Sequence, residues 1–95
     1  TRRIRLSRSL DKDIRDGGAA EQLLENEAFK TATASVKQAI LDKWATSPIA
    51  DIEGQHELRL MLKLHEDLMG NLKIAVDNGK IALHQLKIER KLDSK

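Results

Sequence analysis

From Leu58 to Arg90 the chain keeps one period without a slip. Leu58, Leu62, His65, Met69, Leu72, Val76, Gly79, Leu83, Leu86 and Arg90 follow one another at alternating steps of four and three. That average of 3.5 residues is the seam of a left-handed coiled coil. His65, Gly79 and Arg90 are its weaker members. The pattern crosses Asn78-Gly79, a dipeptide that ordinarily marks a turn. If the chain reversed there, the stripe after the turn would have no reason to inherit the phase before it. Shared phase therefore favours one continuous helix over residues 52–92, with Gly79 as its weak point, where glycine costs about 1 kcal/mol relative to alanine. The alternative is a short third helix, 80–92, folded back after an Asp-Asn-Gly cap.

A shorter helix is expected over residues 19–46. Leu24, Phe29, Ala32, Val36, Ile40 and Trp44 recur mostly every three or four residues and gather on one face, with Glu25, Glu27, Lys30, Lys37, Gln38, Asp42 and Lys43 toward solvent. Pro48 ends it, because proline disfavours helical geometry at Ser47 and has no N–H to donate. "TSPIAD" (46–51) is then the connection. Asp51 is placed to cap the next helix, and Glu53 adds negative charge at the same positive dipole end. The expected fold is all-α: an antiparallel helical hairpin with a long, coiled-coil-like second helix. Its core would be Phe29, Val36, Ile40, Trp44, Leu58, Leu62 and Met69.

At about 1.5 Å per residue the two arms would be roughly 40 Å and 60 Å long. The first can cover only part of the second. Ile81, Leu83, Leu86, Ile88 and Leu92 lie beyond its reach, and Ile74, Ile81 and Ile88 repeat every seven residues on a neighbouring face. A contiguous apolar patch of that kind usually marks an interface. A homo-oligomer is the expected partner state, held through Leu72, Ile74, Val76, Ile81, Leu83, Leu86 and Ile88. Gly70, inside the same helix, is expected to let a neighbouring backbone approach closely.

The N-terminus differs in charge from the rest. Residues 1–8, "TRRIRLSR", carry Arg2, Arg3, Arg5 and Arg8 with no acid, a charge of +4 in a chain whose net charge is +2. The segment 1–18 reads as a basic arm, in which 9–16 could form two turns of helix, followed by a Gly17-Gly18 hinge; residues 19–95 are the oligomerisation domain. The four arginines are candidate contacts for DNA or for an acidic protein surface. With no aromatics among them, single-strand base stacking has no support.

Composition and spacing exclude much else. The 95 residues allow one small domain, 34% of them are charged, and Phe29 and Trp44 are the only aromatics, which suits amphipathic helices. There is no cysteine, hence no disulfide or thiolate metal site. "HELRL" (56–60) begins like a zinc-protease signature but has Leu60 where the second histidine belongs. His56, His65 and His84 cannot all face one direction on a single helix, and His65, on the seam, is expected to be a hydrogen-bonded interface histidine. "GNLKIAVDNGK" (70–80) lacks phosphate-loop spacing. Glu53, Glu57, Glu66 and Asp67 have no apolar pocket to tune them for paired-carboxylate catalysis. No catalytic residue, cofactor, metal or small-molecule substrate is expected. No apolar run approaches the ~20 residues needed to cross a bilayer, so a soluble, cytoplasmic protein is the expectation.

"LLENEAFKTA" (23–32), "WATSPIADIEGQHELRLMLK" (44–63) and "DNGK" (77–80) resemble the short helical proteins of tailed phages and prophages. In these, a Trp–Thr–Ser/Thr–Pro connection leads to Asp-x-Glu-Gly and a Leu/Met-rich second helix. The resemblance covers roughly residues 23–83 and implies a phage-encoded accessory factor in particle assembly, DNA packaging or the virion, located in the host cytoplasm or the particle. The chain is similar, more loosely, to the oligomerisation hairpins of small terminase subunits, from which it departs in having no evident DNA-binding helical domain at its N-terminus. Together these features lead to the expectation of a non-enzymatic, self-associating interaction protein. The rival is a small dimeric DNA-binding transcriptional regulator.

Overall fold

A computed structural model describes the backbone of residues 2–93 and the side chains of residues 9–93. Three helices follow in order: α1 (Arg2–Glu25), α2 (Glu27–Thr46) and α3 (Ile52–Asp93). No strand occurs among the described residues, and the all-α helical hairpin is the observed fold. The chain divides into two compact units, a central one of Glu25–Gly70 and a terminal one of Thr1–Leu24 with Asn71–Lys95. Each is built on its own stretch of α3.

The central unit is the antiparallel hairpin of α2 and the first part of α3. Asn26 starts α2. Its extended backbone breaks the helix, and its side-chain Oδ1 accepts from the Phe29 N–H at 2.9 Å, satisfying a donor that the first turn leaves free. Glu27 follows at the positive end of the dipole. At the other end Ser47 is extended, as the residue before a proline must be, and its hydroxyl donates to the Trp44 carbonyl at 2.8 Å. Asp51 caps α3 as expected, its Oδ1 accepting from the Gly54 N–H at 3.0 Å. Gln55 ties the connection down by donating from Nε2 to the Pro48 carbonyl at 2.9 Å. The helix-period core is thin: Ile40 is buried, while Phe29, Leu58, Leu62 and Met69 are half-buried. His65 joins the two helices, its Nε2 lying 2.9 Å from the Thr33 carbonyl oxygen. It is the expected hydrogen-bonded seam histidine, with its partner on α2 of the same chain.

The terminal unit pairs α1 with the later part of α3. Among the described residues, its buried ones are Leu10, Gly17, Ala20, Gly79 and Ala82. All but Leu10 are small, and that allows the two backbones to touch. A Cβ placed on Gly17 would lie 2.8 Å from the Ala75 carbonyl oxygen and 2.8 Å from the Gly79 Cα; one placed on Gly79 would lie 2.9 Å from the Gly17 Cα. No side chain fits between them.

Several expectations are corrected. Gly17-Gly18 is not a hinge after an arm: α1 runs through it, because Gly17 is where the facing helix makes contact and the helix is held by that packing. The helix expected over 19–46 is two helices, broken at Asn26. Residues on both sides of residue 18 lie in one helix, and that helix shares a compact unit with the later part of α3. Gly70 has nothing within 4 Å of where its Cβ would stand, so close approach belongs to Gly17 and Gly79 instead. The continuity of the long helix holds: α3 passes through Asn78-Gly79 without a break.

Candidate interaction surfaces

In the terminal unit the 3.5-residue seam of α3 faces α1. Val76, Gly79, Lys80 and Leu83 line a shallow hollow together with Ile14, Gly17, Gly18 and Glu21. Leu72, Val76 and Leu86, expected at an oligomer interface, are half-buried along this face, and Leu83 is 41% exposed at its edge. The segment expected to be a free arm is a helix, and it supplies the cover that the first hairpin helix could not. Ile74, Ile81 and Ile88 lie elsewhere on α3 and stay open, at 56%, 57% and 45% exposure.

In the central unit, Ile40, Leu41 and Trp44 of α2 and Leu58, Arg59 and Leu62 of α3 line an apolar cleft of about 270 Å³. Val36 and Trp44, expected in the core, are exposed. Two helices share a single line of contact, and residues to either side of it keep much of their surface in water. A flank of α3 here displays Leu60, Met61, Leu64 and Leu68, the connection displays Ile49, and the start of α3 displays Ile52.

The unit cores are therefore small relative to the apolar surface around them. Among the described residues the buried apolar side chains are Leu10, Ala20, Ile40 and Ala82. So many large apolar side chains left open around so small a core are uncommon on a solitary folded chain.

The side chains of Arg2, Arg3, Arg5 and Arg8 lie outside the described residues; their backbone belongs to α1. Among the described residues no group of three or more His, Asp or Glu could hold a metal ion. No described helix is long and apolar enough to cross a membrane. Most described charged side chains are exposed, and ion pairs within a helix include Lys30–Glu27 at 3.5 Å and Lys63–Asp67 at 3.3 Å. Such exposed pairs contribute little to stability. The residue that sequence reasoning missed is Asn26, whose cap divides α1 from α2. Its signal was the jump of five from Leu24 to Phe29, out of step with the three-and-four spacing that follows. Compared with known protein families, curated proteins and solved structures, the chain matches none.

Proposed function

We propose that the chain is a non-enzymatic, self-associating helical interaction protein, acting as a phage assembly, packaging or virion accessory factor in the host cytoplasm or the particle. The observation that carries self-association is the row of open isoleucines, Ile74, Ile81 and Ile88, on a unit whose own core is already closed by α1. Each is about half exposed, so covering it gains about 1 kcal/mol. Several such residues on each copy favour association. The assignment to phage assembly rests on the resemblance of residues 23–83, and the contact with DNA or an acidic protein surface on the charge of Arg2, Arg3, Arg5 and Arg8.

Light scattering and sedimentation equilibrium test self-association: a defined oligomer at micromolar concentration is expected, and a monomer independent of concentration removes the reading. Duplex DNA binding that weakens steeply with salt, and is lost on deletion of residues 1–8, is expected if the arginines contact phosphates. Strong preference for one duplex sequence would favour the regulator instead. Binding unchanged by the deletion would count against the arginines.

A further inference from the structure

Alongside the isoleucines runs a second regular ladder. Asn71, Ile74, Asn78, Ile81, Gln85, Ile88 and Leu92 follow at alternating steps of three and four, and every one of them is exposed. At about 100° per residue they form a stripe that begins beside the face meeting α1 and runs to the far side of the helix, and none of them is covered by α1. In coiled-coil terms the three amides fall at a positions and the three isoleucines at d. The row resembles the seam described first, except that the protein leaves it open and studs it with side-chain amides.

Those amides narrow the choice of occupant. Pressed against an apolar surface, each would lose its water with nothing in return. Pressed against another amide, each finds both a donor and an acceptor. An antiparallel copy of α3 sets a against d, so amides would meet isoleucines. A parallel copy shifted by one heptad sets Gln85 against Leu92. A parallel, unshifted copy pairs Asn71, Asn78 and Gln85 each with its own kind and stacks isoleucine on isoleucine. It also brings His84, at g, to Glu89, at e of the following heptad, a hydrogen-bonding pair beside the seam. We propose that the open ladder of α3 over residues 71–92 is the docking surface for a second copy of this chain, parallel and in register, with amide layers fixing direction and alignment. The proposal rests on the self-association reading above and specifies its surface.

The chain has no cysteine, so a single introduced thiol reports the geometry directly. Ile81→Cys and Ile88→Cys, made separately in the full chain at exposed positions, are expected to form same-site disulfide dimers under mild oxidation at micromolar protein. The rate should be at least tenfold above Val36→Cys, an exposed position in the central unit. A mixture of Ile81→Cys with Gln85→Cys should give few mixed dimers. Preferential mixed dimers would show antiparallel pairing and overturn the proposal. So would rates no faster than Val36→Cys in a chain that sediments as an oligomer; self-association would then stand on another face. If the unsubstituted chain is a monomer at every concentration, both readings fall. Circular dichroism of each variant, unchanged in helix content, excludes unfolding as the cause of any outcome.

Discussion

Gly17 and Gly18 are neighbours in sequence with opposite surroundings. Around Gly18 there is open space; around Gly17 the backbone of α3 closes to within 2.8 Å of where a Cβ would be. In a helix, alanine is better than glycine by about 1 kcal/mol, so Gly18→Ala and Gly70→Ala are expected to stabilise by up to that amount. Gly17→Ala and Gly79→Ala meet backbone atoms that cannot swing aside as a side chain can. Overpacking costs about 1–3 kcal/mol, which cancels or exceeds the helical gain. The urea midpoint should therefore rise for Gly18→Ala and stay level or fall for Gly17→Ala, and a shared upward shift would refute the close contact. His65 is expected to matter less. Its Nε2 bonds a carbonyl already inside a helix, so His65→Ala should cost only about 1 kcal/mol beyond the lost packing, read from the same denaturation curves.

At the scale of elements, what was legible in the sequence is what local chemistry decides. Pro48 and Asp51 mark the connection because proline and an N-cap carboxylate act within a few residues of themselves. Asp51→Ala should cost about 1 kcal/mol in thermal or urea unfolding, by leaving the Gly54 N–H without its side-chain acceptor. The unbroken phase across Asn78-Gly79 correctly signalled a continuous α3, since a face that must stay in register with a partner cannot change step. The Gly17-Gly18 segment misled because glycine after a helical run is good cap chemistry on its own. Its helical state depends on a partner more than fifty residues away, which spacing alone does not reveal. For the same reason Val36 and Trp44 were placed in a core: periodicity names a face, but the width of a two-helix contact decides how much of that face is covered.

For the whole molecule, the arginine-rich start of the chain belongs to a helix that shields α3, and this relocates the test of assembly. Leu86→Asp, attractive from sequence because Leu86 lies beyond the reach of the hairpin's first helix, would damage a half-buried position within the terminal unit. Ile81→Asp is the cleaner probe. The unsubstituted protein should melt at a higher temperature as its concentration rises from 1 to 100 times the association midpoint, because assembly stabilises the folded state by mass action. Ile81→Asp should abolish that dependence while leaving the melting temperature of the dilute protein within a few degrees, and a persistent dependence would show that Ile81 is not at the contact. Removing residues 2–24 should act differently, exposing Gly79 and Ala82 and opening residues 71–93 to limited proteolysis.

Where α1 meets α3 with no side chain between them, only one alignment fits. Sliding α1 by one residue turns it about 100° and swings a Cβ into a gap that admits hydrogen alone. Sliding it by a full turn offers Asp13 or Glu21, bulkier still. Gly17 and Gly79 thus work as a keyhole, ruling out slipped pairings that two smooth leucine-lined rods would tolerate. Adding or deleting a single residue between Gly17 and the Asn26 break leaves the keyhole engaged and displaces the break itself.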